Sequence, residues 1–215
     1  MQTRSGPAVS VIVPALDEEQ TLTATLDRLA LLPGDVEVVV ADGGSRDGTL
    51  AAARGHPSRP LVLPTSHPGR GRGRGADLNV AARLARGQVL LFLHADTRLP
   101  LGAAATLAAV LREPAVVGGN FEVRFEGQDR LSCALTRLYA VLRGTGIYYG
   151  DSAIFVRAHV FRRLGGFREL PVMEDYDFVR RLEKGAARCA SLGRSCRPPG
   201  AGWQTARSER SAPGC

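Results

Sequence analysis

The chain has 215 residues, of which 44% are hydrophobic and 23% are charged, and its formal net charge is +7. These fractions are near the average of globular domains and exclude a wholly disordered chain, and no apolar run approaches the roughly 20 residues of a membrane-spanning helix. Residues 185–215 carry five arginines and one acid, and the nearly neutral remainder argues against a nucleic-acid-binding face.

Strands and helices alternate in the first half of the chain. A continuous β-branched run predicts a buried parallel strand over Ala8–Pro14, and helically spaced apolar residues predict a helix over Glu18–Leu32, which Pro33-Gly34 ends. A second strand is predicted over Val36–Ala41. A turn at Asp42–Ser45, a short helix over Asp47–Arg54 and a short third strand over Pro60–Pro64 follow.

The alternation continues after a loop rich in glycine and arginine, Thr65–Gly75. The segment Ala76–Arg86 predicts an amphipathic helix, and Gln88–Leu93 predicts the fourth strand. Alternating polar and apolar residues predict a strand with one solvated face over Ala115–Phe125. The remaining predicted elements are helices over Pro100–Leu111, Leu131–Arg143, His159–Leu164 and Met173–Glu183, and a strand over Ser152–Val156.

Strands that alternate with helices predict an α/β fold, with a doubly wound, mostly parallel sheet and helices on both faces. Ligands of such sheets bind outside the carboxyl ends of the strands. We predict one domain over residues 8–184, preceded by a flexible N-terminus over residues 1–7. Residues 185–215 lack hydrophobic periodicity and are rich in glycine, proline, serine and arginine, so we expect a disordered or aberrant tail.

Acidic and polar residues follow three of the predicted strands. They stand at Asp17–Glu19, at Asp42–Ser45 and at His94–Thr97. Carboxylates gathered at one sheet edge repel one another unless they bind a cation or polar hydroxyls. Mg²⁺ or Mn²⁺ held by one or two carboxylates and by substrate phosphates fits this edge. The glycine- and arginine-rich loop Thr65–Gly75 would add positive charge for the same phosphates, through Arg70, Arg72 and Arg74.

Each of these features also has a purely structural explanation. Acids at Asp17–Glu19 favour a helix N-terminus, and Asp42–Ser45 is an ordinary turn sequence. His94 is explained equally by a structural hydrogen bond, since a hard cation prefers oxygen ligands. The arginines of Thr65–Gly75 could simply face solvent. A further acid, Asp175, stands at the start of a predicted helix, where acids are common for structural reasons.

Six segments stand in an order that is known from one enzyme family. They are S-V-I-V-P-A-L-D-E-E at Ser10–Glu19, V-V-V-A-D-G-G-S-R-D-G-T at Val38–Thr49, L-L-F-L-H-A-D-T at Leu90–Thr97, G-D-S-A-I-F-V at Gly150–Val156, L-G-G-F at Leu164–Phe167 and M-E-D-Y-D at Met173–Asp177. In this order they resemble the family 2 glycosyltransferases, which are inverting enzymes with the GT-A fold. The resemblance spans residues 8–184 and is strongest to small bacterial members whose metal motif reads H-A-D, labelled arsenosugar-type glycosyltransferases.

The resemblance implies roles for individual residues. Glu174 and Asp175 resemble the Glu-Asp pair in which the Asp is the general base. Asp96 resembles the last residue of the Asp-x-Asp metal motif, and Gly150 and Asp151 resemble the segment that faces the acceptor. The residues that would bind the nucleotide sugar are Pro14, Ala15, Asp17, Glu18, Asp42, Gly43, Ser45, Arg74, Asn79, His94 and Ala95.

The implied function is transfer of a sugar, with inversion, from a nucleoside-diphosphate sugar to a hydroxyl acceptor, a lipid or a small molecule. A divalent metal, Mg²⁺ or Mn²⁺, would assist the transfer. No nucleic-acid partner and no transmembrane segment are expected, and the expected location is cytoplasmic or peripheral at the membrane. The alternative is a catalytically inactive module that binds nucleotide sugars, which the abnormal tail favours.

The chain departs from the family pattern at two places. His94 replaces the first Asp of the metal motif. Where the family reads roughly R-x-R-Q-M-N-x-G, Arg74 and Asn79 match, but other residues replace the second Arg, the Gln and the Gly, namely Ala76, Asp77 and Ala81. The cysteines match no zinc-site spacing, so we expect free thiols in a reducing compartment.

Overall fold

The computed structural model describes residues 8–64, 73–121, 130–144 and 153–190. Several predicted features lie outside these ranges and stay predictions. They are the N-terminus at residues 1–7, Arg70 and Arg72, the acceptor-facing pair Gly150 and Asp151, and the tail from residue 191 onward.

One six-stranded sheet forms the centre of the described structure. Its strands are β1 (Val9–Ala15), β2 (Val36–Asp42), β3 (Leu61–Pro64), β4 (Val89–Phe92), β5 (Gly118–Asn120) and β6 (Ile154–Arg157). Their order across the sheet is β3-β2-β1-β4-β6-β5. Five strands run in the same direction, and β6 runs antiparallel to its neighbours β4 and β5.

Helices cover both faces of the sheet and bury an apolar layer on each. The helices are α1 (Glu19–Ala30), α2 (Thr49–Gly55), α3 (Arg74–Leu84), α4 (Ala103–Leu111), α5 (Arg130–Gly144), α6 (Ala158–Arg163) and α7 (Glu174–Ala190). Leu22, Leu26 and Leu29 of α1 are buried on one face, with side chains of α2 and α4. Phe178 and Val179 of α7 are buried on the other face, with side chains of α3 and α6.

The predicted fold class is therefore confirmed, while several boundaries differ. Arg74 lies in the first turn of α3, although the sequence placed it in a loop. The last helix continues to Ala190, six residues past the predicted domain end at 184. The fifth strand begins at Gly118, three residues later than predicted, and residues 122–125 of its predicted range lie outside the described residues. A Cβ at Gly118 would lie 2.7 Å from the carbonyl oxygen of Phe155, so the bare backbone permits this close pairing.

The direction of the chain across the sheet reverses between β1 and β4. From β1 the chain winds through β2 to β3 on one side, and β4 then pairs with β1 on its other side. Crevices outside the carboxyl ends of strands at such a reversal are where doubly wound sheets bind ligands. The residues that follow β1, β2 and β4 therefore meet at one edge.

A partly buried carboxylate joins β1 and β2 at the opposite end of the sheet. Glu37 accepts hydrogen bonds from Oγ of Ser10 at 2.5 Å and from the backbone nitrogen and Nε of Arg86 at 2.8 and 2.7 Å. Burial raises the pKa of the Glu37 carboxyl, but these bonds together hold that pKa below its ordinary value. Gly87 donates to Ser10 as well, so the network fixes the end of α3 against the sheet.

Two further predictions can be compared with the described residues. No described helix is both long and apolar enough to cross a membrane. Cys133 of α5 is disulfide-bonded, so the expectation of free thiols is wrong for this residue.

Candidate functional site

A cavity of about 290 Å³ opens at the carboxyl edge of the sheet, above the point where β1 and β4 separate. Segments after three strands and the start of α3 enclose it. Its lining residues are Pro14, Ala15, Leu16, Glu18, Ala41, Gly43, Gly73, Arg74, Asp77, His94, Ala95 and Asp96. The strand-end pattern thus brings together residues that are up to 82 positions apart in sequence, from Pro14 to Asp96.

The ends of β1 and β2 form one side of the cavity. Ala15 pairs with Asp42 in the parallel ladder, and the nitrogen of Gly43 donates to the carbonyl oxygen of Ala15 at 2.8 Å. Asp42 is buried, and its carboxylate accepts hydrogen bonds from the nitrogens of Gly44 at 3.1 Å and Ser45 at 3.3 Å. Asp42 therefore shapes the turn that presents Gly43 to the cavity.

Asp17 and Ser45 join the loop after β1 to the loop after β2, and neither residue lines the cavity. The nitrogen of Asp17 donates to Oγ of Ser45 at 3.0 Å, and Oδ1 of Asp17 accepts from the nitrogen of Arg46 at 2.8 Å. Asp17 adopts a φ of +56°, a left-handed conformation that aspartate tolerates better than most residues. Of the two predicted acids, Glu18 lines the cavity, whereas Asp17 joins the loops after β1 and β2.

Arg74 connects the loop after β4 with the start of α7. Its Nε donates to Oε1 of Glu174 at 2.5 Å, its Nη1 donates to Nε2 of His94 at 3.0 Å, and its Nη2 donates to Oδ2 of Asp175 at 3.3 Å. The planar guanidinium is suited to such divergent contacts. Because a guanidinium only donates, Nε2 of His94 accepts in this hydrogen bond and carries no proton.

The start of α7 is held against the sheet by aromatic packing. The ring of Phe167 lies 4.8 Å from that of Phe92, the last residue of β4, and 4.9 Å from that of Phe178 in α7. Met173 enters the helix with a φ of +65°, and Glu174 and Asp175 follow it, both buried. The two acids are therefore positioned by packing as well as by Arg74.

Gly75 permits α3 and α7 to approach each other. A Cβ at this position would lie 2.9 Å from the carbonyl oxygen of Arg168 and 3.2 Å from Cγ of Glu174. Both distances are shorter than ordinary side-chain contacts. A side chain at Gly75 would thus displace the first turn of α7 from Arg74.

Asn79, which is predicted to bind the nucleotide sugar, hydrogen-bonds the backbone of Phe167. Its Nδ2 donates to the carbonyl oxygen of Phe167 at 2.8 Å, and its Oδ1 accepts from the nitrogen of Phe167 at 2.9 Å. It is not among the residues that line the cavity. The amide therefore fixes the segment that leads into α7, and it acts on the site through Phe167.

Asp96 is the exposed carboxylate on the β4 side of the cavity. Thr25 of α1 donates to the carbonyl oxygen of the neighbouring Ala95 at 2.6 Å and so fixes this loop. The part of the chain that the structure describes contains no group of three His, Cys, Asp or Glu side chains able to hold a metal. A single carboxylate still fits Mg²⁺ or Mn²⁺ that takes its other ligands from water and a diphosphate.

Four lining residues were not predicted, namely Leu16, Ala41, Gly73 and Asp77, and Asp77 is the charged one among them. Asp77 departs from the family pattern, is buried in the first turns of α3 and borders the cavity. Its Oδ2 lies 3.5 Å from the position that a Cβ on Gly43 would take. Its spacing of three residues from Arg74 in a helix was the available signal, since such residues lie on one face.

The sequence matches one family profile over most of the domain. The profile described as Glycosyl transferase family 2 matches residues 10–164. The PGL/p-HBAD biosynthesis glycosyltransferase of Mycobacterium bovis is 30% identical over 191 residues, which cover 81% of this chain and 69% of that protein. The glucosyl-3-phosphoglycerate synthase of Mycolicibacterium paratuberculosis is 35% identical over 99 residues, which are 43% of this chain and only 30% of the synthase.

Solved structures with a similar fold have been determined with nucleotides and manganese. The mannosyltransferase PcManGT from Pyrobaculum calidifontis, in complex with GDP-Man and Mn²⁺, superposes with a TM-score of 0.65 at 26% identity, covering 92% of this chain and 56% of that one. The glucosyl-3-phosphoglycerate synthase from Mycobacterium tuberculosis, with Mn²⁺, UDP and glucosyl-3-phosphoglycerate, superposes with a TM-score of 0.58 at 20% identity, covering 86% and 67%.

Proposed function

This chain belongs to glycosyl transferase family 2, and from that premise we propose that it transfers a sugar from a nucleoside-diphosphate sugar to a hydroxyl group, with inversion at the anomeric carbon. The observation that carries the proposal is the position of Arg74, which lines the cavity and hydrogen-bonds His94, Glu174 and Asp175. One side chain thus joins the proposed donor site to the proposed base.

The donor would lie along the carboxyl edge of the sheet. Ala15 and Gly43 present backbone and small side chains on the β1–β2 side, which leaves space for a nucleoside. Arg74 and Asp96 stand on the β4 side, where a diphosphate would find a cation and a metal-binding carboxylate. The complexes of PcManGT with GDP-Man and of the mycobacterial synthase with UDP support a nucleotide as part of the donor.

Asp175 would act as the general base. The proton of the acceptor hydroxyl passes to the Asp175 carboxylate while the hydroxyl oxygen forms a bond to the anomeric carbon. The bond between that carbon and the diphosphate oxygen breaks, and its electron pair leaves with the nucleoside diphosphate. Attack from the face opposite the leaving group inverts the configuration. The position of Asp175 at a buried helix start, fixed by Arg74, supports this role.

Positive charge would stabilise the departing diphosphate. A divalent cation, when bound, would supply such charge, and Asp96 would hold it as the carboxylate of this chain. Arg74 keeps its guanidinium at the same side of the cavity, and Glu174 orients it through the Nε contact of 2.5 Å. The acceptor would be a lipid or a small molecule that carries a hydroxyl group.

The test is donor turnover by variants that keep the fold. The purified chain is incubated with GDP-mannose, UDP-glucose and UDP-N-acetylglucosamine in the presence of Mn²⁺, and release of nucleoside diphosphate is followed with water or added alcohols as acceptor. We expect Asp175→Asn to lower kcat about 10²- to 10⁴-fold and to leave nucleotide binding in place. Asp35→Asn, an exposed control far from the cavity, removes the same charge. Turnover by Asp175→Asn equal to that of Asp35→Asn would refute the assigned base.

A further inference from the structure

We propose that helix α5 docks the protein on a lipid surface that carries anionic headgroups. The apolar side chains of one face of α5 would enter the acyl region, and arginines at the border of that face would contact the headgroup phosphates. The observations behind the proposal are the exposure of this apolar face and the sign of the charge beside it. Docking of this kind does not depend on the sugar transfer proposed above.

The apolar side chains of α5 are open to solvent. Leu131 is 67% exposed, Leu138 is 50% exposed and Val141 is 65% exposed. None of the α5 side chains that the structure describes is buried, whereas α1 buries three leucines in the core beside the sheet. Contiguous exposed apolar surface that is rimmed by polar groups marks a site of contact with a protein or a membrane.

The three exposed side chains share one face of the helix. Successive residues of an α-helix are about 100° apart around its axis, so Leu131, Leu138 and Val141 lie within about 80° of one another. We call these three residues the α5 apolar face. Arg130 and Arg137 lie within about 40° of Val141, and both are exposed. A stripe of positive charge therefore borders the α5 apolar face along one side.

The charge of α5 favours an anionic partner. The helix contains arginines and no acidic residue. Arginine can lay its apolar stem along an apolar surface while its guanidinium stays at the polar boundary. Leucine on one face and arginine on the polar face are typical of helices that lie in the plane of a membrane interface. An anionic lipid surface thus matches both the apolar face and its border.

Charge disfavours the two other occupants that this protein could itself provide. Residues 191–215 carry four arginines and one acid, so this segment has the same sign of charge as α5. Two α5 helices from two copies would bring arginines together without an acid in either helix, and like charges repel. The disulfide-bonded Cys133 stands about 200° from Leu131 around the helix, on the side away from the α5 apolar face.

The first experiment measures co-sedimentation of the full chain with vesicles of phosphatidylcholine alone or of equal parts of phosphatidylcholine and phosphatidylglycerol. We expect the mixed vesicles to bind at least about tenfold more tightly. The variant Leu131→Gln/Leu138→Gln should weaken that binding at least about tenfold, because burial of leucine drives insertion. Glutamine keeps a similar helix propensity. The control Leu31→Gln/Leu84→Gln removes two leucines of similar exposure, 66% and 52%, and should leave binding unchanged.

The second experiment tests the charge at the border of the face. Each basic residue near an anionic surface strengthens binding about fivefold, so Arg130→Gln/Arg137→Gln should weaken binding to the mixed vesicles about tenfold or more. Binding by this variant should also depend less on the NaCl concentration, since salt screens such attractions. The matched control is Arg54→Gln/Arg83→Gln, which removes two exposed arginines from α2 and α3 and should bind like the unaltered chain.

Three outcomes would overturn the proposal. The first is failure of the unaltered chain to sediment with the mixed vesicles, a result that requires no variant. The second is equal binding by an α5 variant and its control, which would place the lipid contact elsewhere, for example on the basic residues 191–215. The third is a dimer in sedimentation velocity that Leu131→Gln/Leu138→Gln abolishes, which would assign the face to a second copy. Nucleotide-sugar turnover is measured without vesicles, so none of these outcomes refutes the proposed function.

Discussion

Nη2 of Arg74 lies 3.3 Å from Oδ2 of Asp175, a hydrogen bond that spans 101 positions of sequence. Arg74 opens α3 on the donor side of the cavity, and Asp175 begins α7. The same guanidinium contacts His94 after β4, so three elements meet at one side chain. A single residue therefore fixes the distance between the proposed base and the proposed diphosphate site.

Replacing Arg74 by lysine tests this connection. Lysine keeps the charge but has one donor centre, so it cannot reach His94 and both acids at once. We expect kcat to fall about 10²-fold, because misplacement of a catalytic group by about 1 Å has that effect, while the KM for the donor changes less. Arg83→Lys on the exposed face of the same helix is the matched control. Equal kcat values for the two variants would contradict the role of Arg74.

The lack of a three-ligand group among the described residues predicts that metal and nucleotide bind together at Asp96. Mn²⁺ alone finds too few ligands in the described cavity, whereas a diphosphate supplies the missing oxygens. We expect no rise in Tm with Mn²⁺ alone, a rise with nucleoside diphosphate and Mn²⁺ together, and loss of that joint effect in Asp96→Asn. Asp35→Asn serves again as the control. If nucleotide raised Tm by the same amount in the presence of a chelator, the metal-binding role of Asp96 would be contradicted.

Asn79 is predicted to act through the position of Phe167. In Asn79→Asp, an anionic oxygen replaces the amide nitrogen that donates to the carbonyl of Phe167. We expect the free energy of unfolding to fall by about 1–3 kcal/mol, the usual effect of leaving a buried polar group without its partner. Urea denaturation measures it, with the exposed Gln20→Ala as a reference. An unchanged free energy of unfolding would show that the bonds between Asn79 and Phe167 do not stabilise the fold.

Glu37 predicts how stability depends on pH. Its folded-state pKa lies below the ordinary value of 4.5, so its stabilisation is present above that pH and is lost as the pH falls through the folded-state pKa. Glu37→Gln should lower the free energy of unfolding at pH 7 by about 0.5–1.5 kcal/mol, because the exposed side chain of Arg86 leaves its ion pair screened by solvent. The difference between the two proteins should shrink below about pH 4.5. A difference that stays constant into the acid range would mean that the carboxylate charge is not involved.

Much of the fold followed from local sequence patterns, because the responsible forces are local. Continuous apolar runs marked β1, β2 and β4, and the strand-end rule placed Glu18, Gly43, His94 and Asp96 at one cavity. Burial on both faces of a central strand leaves a clear signature in the sequence. The order of the strands then determines which loops meet.

The remaining site features depend on contacts that local patterns do not contain. The bonds of Arg74 to α7 and of Asn79 to Phe167 join residues 88 to 101 positions apart. The antiparallel direction of β6 likewise depends on how the chain returns to β4. The family pattern implies a ligand role for Asn79 but says nothing of the bonds between its amide and the backbone of Phe167.

The most direct test of the account is the configuration of the sugar at the moment of transfer. Proton NMR would follow turnover of GDP-mannose and of UDP-glucose and would record the anomeric signal of the first-formed product before mutarotation. Both donors are α-linked, so the account predicts the β-anomer first, and Asp175→Asn should abolish that signal. First formation of the α-anomer would contradict single attack assisted by Asp175.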